Sequence, residues 1–233
     1  MPSAGITLTL ADYLTQTRRL LRDSTGALYS DSDLTEFINR AIKQRDLDLG
    51  YNRLKLSFTL TTGTHTYSYA TILAGATVLI GATTANIQDL LSIMVMPLGS
   101  GTSTIRYPLG RWPYSKLAYL LSTSYPTYPA VYALYGPSTL VLAPPPAGNY
   151  PVEFDFLAYS ADLVNPTDAD TQPYPYTDPV PFMAACFAKV SVQRFDEADG
   201  FQAQYDRRLL RVRGRARSLM IANPWSDLPT RSR

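Results

Sequence analysis

The chain has 233 residues and one cysteine, Cys186, which allows one domain or two small ones around a real core but no internal disulfide. It lacks the basic start and apolar block of a signal peptide, and no apolar run approaches the ~18 residues of a membrane span, so a chain made in the cytoplasm with no membrane segment is expected. The net charge of +2 hides a polarised chain, because residues 201–233 hold eight Arg against two Asp, a net of +6, and the remainder is net −4.

Apolar positions in ITLTLADYLTQTRRLLRD recur at helical spacing, with Leu10, Tyr13, Leu14, Thr17, Leu20 and Leu21 on one side and Thr9 placed to cap, Asp12 following three residues on. Beyond the turn at Gly26, SDSDLTEFINRAIKQRDLDLG repeats the form: Leu34, Phe37, Ile38, Ala41 and Ile42 make the stripe, acidic residues crowd the start, and Gly50 follows the end. A short link between two such helices predicts antiparallel packing. The period then falls to two, since Leu54, Leu56, Phe58 and Leu60 alternate with Arg53, Lys55, Ser57 and Thr59, as in a half-buried strand. TVLIG and LLSIMVMP read as further strands and RWPYSKLAYLLST as a short helix. AVYALYG, STLVLAP and YPVEFDFLAY read as three strands of one antiparallel meander, joined by the GPS and PPPAGN turns.

After a Pro-rich loop, Asp178 stands as a cap with Pro179 at the first helical position of VPFMAACFAKVSVQRF, which is apolar nearly all round and so predicted to be buried; a last helix is expected from near Glu197. The expected fold class is α+β: a helical bundle from residues 1–52 and 178–221, an inserted antiparallel β module over 53–177, and an extended arm at 222–233, where Pro224 and Pro229 forbid a continuous helix.

Catalytic signals are thin. His65 is the only histidine and has no G-x-S-x-G context near it. Asp168 and Asp170 lack the Gly and terminal Glu of a calcium loop and read as a solvated loop. Glu153 and Asp155 share one strand face, which suits an exposed sheet surface as well as a carboxylate pair for glycoside chemistry. Gly99 and Gly101 are not followed by the Lys and helix of a phosphate loop, and Cys186 lies in an apolar helical run as a buried thiol would. The expectation is a protein without enzymatic activity, cofactor or metal.

Two features stand out instead. Tyrosine occurs 17 times and clusters with proline in SYPTYPAVYALYG and QPYPYTDP, where Tyr125, Tyr128, Tyr174 and Tyr176 are candidates for an interface; a Tyr-rich sheet core is the alternative. In the last helix, Phe201, Tyr205, Leu209, Val212, Ala216 and Leu219 share a face, flanked by Arg207, Arg208, Arg211 and Arg215 on one shoulder and Arg213 and Arg217 on the other. Such a helix suits a core element with a basic back, a surface for an acidic protein, or a nucleic-acid contact.

Across most of its length the sequence resembles the head-to-tail adaptor (head-completion, tail-tube-A-like) proteins of short-tailed bacteriophages. The resemblance rests on Leu34, Ile38, Asn39 and Ala41 in a helix, Pro129, Tyr132 and Gly136 before a strand, Leu140, Leu142, Pro144 and Pro146 in it, and Tyr150, Phe154, Tyr159 and Leu163 after it. It implies a structural virion protein at the head–tail junction. By the same resemblance, a twelve-subunit ring would sit between the portal protein and a tail nozzle or tail-tube protein, with genomic DNA passing through its bore without sequence-specific binding. Arg207, Arg208, Arg211, Arg213, Arg215, Arg217 and Trp225, an aromatic anchor among arginines, are then candidates for portal docking, and the four tyrosines for tail-side or inter-subunit contact. Two other classes stay open: a nucleic-acid-binding module built on the arginine-rich helix, and a tail-associated cell-wall hydrolase built on Glu153 and Asp155.

Overall fold

The computed structural model describes residues 7–80, 86–96, 106–123 and 125–221, and for residues 80, 86, 122, 123 and 215–221 the backbone alone. In chain order the elements are α1 (Leu10–Leu21), α2 (Asp31–Leu49), β1 (Arg53–Thr59), β2 (Thr66–Ser68), α3 (Tyr69–Gly75), β3 (Thr77–Ile80), β4 (Asn86–Val95), β5 (Tyr107–Pro108), β6 (Gly110–Arg111), α4 (Tyr114–Thr123), β7 (Val131–Tyr135), β8 (Thr139–Ala143), β9 (Pro151–Tyr159), α5 (Val180–Ser191) and α6 (Phe195–Ile221). The class is α+β, with helices at both ends. Two compact units emerge, Met1–Tyr51 with Ser160–Arg233, and Asn52–Tyr159.

The helical unit begins with a capping box. Thr9 Oγ1 accepts from the Asp12 N–H at 3.3 Å, and the Asp12 carboxylate accepts from the Thr9 N–H at 2.9 Å, which holds the Asp12 carboxyl below its usual range. Ser30 caps α2 by accepting from the Asp33 N–H, and Gly50 ends it in the left-handed region at φ 56°, as its place in the sequence predicts. Between these helices the Asp23 carboxylate accepts from the backbone N–H groups of Ala27, Leu28 and Tyr29 and organises the turn. Leu10, Tyr13, Ile38, Ala41 and Ile42 meet Met183 and Ala184 of α5 and Tyr205 and Leu209 of α6 in one core. The expected burial of α5 holds up to Lys189, with Val180, Ala184, Ala185 and Ala188 excluded from solvent, but the helix ends at Ser191, and Val190, Val192 and Phe195, read as part of the same buried helix, are exposed. Its start differs: Pro179 occupies the N-cap with no side-chain cap, and Asp178 turns instead to Arg208 at 2.7 Å. The last helix opens at Phe195, two residues early.

Segment 160–177, expected with the β module, packs with the helices. Leu10 donates its N–H to the Asp168 carbonyl at 2.9 Å, and the Asn39 amide both donates to the Leu163 carbonyl and accepts from the Leu163 N–H. This reciprocal amide pairing splices α2 to a loop more than a hundred residues away in sequence.

In the second unit the strands form two sheets, ordered β3-β1-β9-β4-β5 and β2-β8-β7-β6. The predicted meander is therefore split. β7 and β8 pair as an antiparallel hairpin, but after Pro144–Asn149 the chain enters the other sheet, where β9 lies between β1 and β4 with Leu56 opposite Phe154. β6 runs parallel to β7, so the module is mixed. Alternation explains the division of labour: Tyr132, Leu140 and Leu142 face a core shared with Leu54, Leu56, Ile93, Phe154 and Phe156, whereas Val131, Ala133, Val141 and Ala143 face Leu117 of α4. A strand pair buried on both faces reads as a continuous apolar run. The short helix α3, unforeseen, is capped by Ser68 and inserts Ile72 into the shared core.

Candidate functional site

The residues with the best claim to catalysis are spoken for. Glu153 was expected on an exposed sheet face, yet it is only 5% exposed, because Arg106 grips both carboxylate oxygens at 3.0 and 2.8 Å and Lys55 adds a third contact at 2.7 Å. These cations, Arg106 first, hold the Glu153 carboxyl below the usual range, the opposite of what a general acid requires. Asp155 pairs with Arg53 at 3.1 Å. Burial pushes the Cys186 thiol up, away from a reactive thiolate. His65 is exposed, and its carbonyl accepts from the Leu142 N–H. Among the described residues no group of three or more His, Cys, Asp or Glu could hold a metal ion, and no helix is long and apolar enough to cross a membrane. Gly99 and Gly101 lie outside the described residues.

The reading of Asp168 and Asp170 as one solvated loop fails at Asp170. Asp168 closes a turn by accepting from the Val164 and Asn165 N–H groups, but Asp170 is 3% exposed and receives Arg45 Nη1 at 2.5 Å and the Tyr13 hydroxyl at 2.6 Å. Arg45 is fully buried and also donates to Asp46 Oδ1 at 2.8 Å, while Asp46 Oδ2 accepts from the Ser160 N–H at 2.7 Å. Burial opposes the guanidinium charge, but Asp170 and then Asp46 outweigh it and keep Arg45 protonated. Burial and the nearby Asp170 carboxylate push the Tyr13 phenol up, so its O–H remains a donor. This network ties α1, α2 and the loop after β9 into one unit. Arg45 sits three and four residues past Ile42 and Ala41, on the apolar stripe, and that spacing is the sequence signal for it.

Helix α6 sorts its arginines into two kinds. Arg208 pairs with Asp178 and lies 4.0 Å above the Phe182 ring, and Arg213 donates from Nη2 to the Asp48 carbonyl at 2.7 Å, so both brace the helix against its own unit. Tyr205 joins them through a 2.6 Å hydrogen bond to Asp48. Arg207 and Arg211 are exposed and, among the described residues, have no ion-pair partner; Leu210 between them is 65% exposed. Arg215 and Arg217 continue the helix with undescribed side chains, and Trp225 lies outside the described residues. The tyrosines divide likewise. Tyr125 and Tyr174 present their rings to solvent, whereas Tyr176 is buried and stacks on Tyr51 at 4.9 Å, and Tyr128 packs against Tyr107 and Tyr150.

Exposed basic and aromatic side chains on a well-braced frame, with the candidate catalytic carboxylates Glu153 and Asp155 held by cations of the same chain, suit binding to another macromolecule more than chemistry on a small one. Comparison with known proteins agrees. No curated protein matches the chain. A family model described as SU10 adaptor protein matches residues 8–227, which takes in every element from α1 to α6 and both compact units. With nearly its whole length matched, the chain belongs to the SU10 adaptor protein family.

Proposed function

We propose that the chain is a structural adaptor of a bacteriophage virion, joining the portal vertex to the tail as a twelve-subunit ring and continuing the DNA channel. The observation that carries this reading is the family match over residues 8–227. The surface chemistry supports it: Arg207, Arg211 and Leu210 form an exposed basic-apolar face suited to an acidic protein surface, and Tyr125 and Tyr174 suit a second contact, to a tail protein or a neighbouring subunit. Arg208 and Arg213, engaged within the chain, serve docking by fixing the helix that carries Arg207 and Arg211.

Purified chain mixed with its virus's portal protein and imaged should decorate the portal with a ring, and free chain alone should show no stable ring by light scattering, because many modest contacts act together only on a template. A stable twelve-subunit assembly without portal, or no association with portal, overturns the reading. Docking through the basic segment is tested by removing residues 222–233. Loss of Trp225 with the rest of this segment, which lies outside the described residues, should weaken portal binding by roughly 2–4 kcal/mol and leave the melting temperature nearly unchanged. If the ring encloses DNA, basic side chains lining its bore should be few or offset by carboxylates, since a cationic wall would hold a moving polyanion, and a ring structure with Arg207 to Arg217 in continuous contact with phosphate would contradict this.

A further inference from the structure

The solvent face of α6 changes sign along its length. Asp196, Asp199 and Asp206 precede Arg207 and Arg211, and all five are exposed. Helix-dipole compensation accounts for acids in the first turn, but that effect fades within a turn of each end, and here the sign changes between Asp206 and Arg207 in mid-helix. Interspersed with these charges on the same face are Gly200, Ala203, Leu210 and Gly214. Glycine inside an exposed helix costs about 1 kcal/mol relative to alanine. A Cβ added at Gly200 or Gly214 would meet nothing within 4 Å, so the chain's own packing does not require either glycine.

A face that is acidic in one half and basic in the other, with glycine and alanine set between the charges, is complementary to itself when turned end for end. We propose that α6 pairs antiparallel with α6 of a second copy of this chain, about a two-fold axis between Asp206 and Arg207. At about 1.5 Å per residue that axis sets Asp206 opposite the second copy's Arg207, Ala203 opposite its Leu210, and Asp199 opposite its Gly214, one turn from Arg211. Each contact occurs twice, and each glycine lies where close approach of the second helix needs room. One helix face buries less than the roughly 1,600 Å² of a standard interface, so the pair is weak and salt-sensitive. The pairing covers Arg207 and Arg211, which would keep free chain from docking before a template competes for it. This last consequence rests on the docking reading above; the pairing itself does not.

The test uses full-length chain without portal. Sedimentation at low salt and about 200 µM protein should move the apparent mass from 25.8 kDa toward twice that value, and added salt should reverse it. Two variants, Asp199→Lys with Asp206→Lys and Arg207→Glu with Arg211→Glu, should each stay monomeric, and their equimolar mixture should associate at least as tightly as the unaltered chain. A variant with Ala203→Cys and Leu210→Cys should oxidise to a covalent dimer; the two positions are too far apart along one helix to bridge within a chain. Monomer under all these conditions, or a mixture that fails to restore association, overturns the proposal whatever the portal experiments show.

Discussion

Each compact unit is built around a charge that solvent barely reaches, and the two are neutralised in different ways. In the helical unit Arg45 is buried together with both its carboxylates, Asp46 and Asp170. In the β unit the buried partner is Glu153, and its cations Lys55 and Arg106 keep 32% and 46% of their side chains in water. The first arrangement is a locked joint, because removing any member strands another in a low dielectric. The second is a cover, because lysine and arginine stems shield the carboxylate while their heads stay hydrated.

The comparison is broken most severely at Arg45. Arg45→Met leaves two buried carboxylates unpaired and should cost about 3–5 kcal/mol, seen as an early melting helical unit in calorimetry. Glu153→Gln keeps the shape and frees cations that are already hydrated, so a loss of about 1–2 kcal/mol is expected in denaturant titration; an equal loss at both sites would erase the distinction. Acid gives the next contrast. The folded Glu153 pKa is depressed, so its contribution is complete above the ordinary carboxylate value of about 4.3 and fades as pH falls through the folded value. Amide protection in β1 and β9, measured relative to the intrinsic exchange rate at each pH, should therefore fall on acidification below about pH 4, and less so in Glu153→Gln. The smallest effect comes from salt: raising it to about 1 M should take a few tenths of a kcal/mol from the Arg106–Glu153 contact and leave the Arg45 network unchanged.

Much of the fold was legible because the dominant signals are local. Thr9 and Gly50 mark helix ends through hydrogen bonds to their own neighbours, and the alternation of Leu54, Leu56 and Phe58 names a buried strand face. The split of β9 from the β7–β8 hairpin was not legible, since a Pro-rich linker of the length of PPPAGN forbids a helix but does not say which strands the next segment will join. Asp178 misled for a related reason: it suits an N-cap by position, but the competing partner, Arg208, is 30 residues away. Of the candidate surface, periodicity correctly set Tyr205, Leu209 and Val212 inward. It could not tell braced Arg208 and Arg213 from exposed Arg207 and Arg211, because that distinction depends on where Asp178 and the end of α2 lie in space.

The β unit leaves and rejoins the helical unit through neighbouring strands: Arg53 stands opposite Leu157, and the Ala158 N–H donates to the Asn52 carbonyl at 2.9 Å. While that ladder is intact, the helices experience the insertion Asn52–Tyr159 as a tight turn between α2 and the loop that begins at Ser160. Melt the sheets and the same helices must close a flexible loop of about a hundred residues, at a cost of roughly 3 kcal/mol over a turn of about four. The folded insertion thus steadies the helical unit through chain entropy alone, so a lesion confined to the β sheets should lower the stability of helices whose own contacts are unchanged.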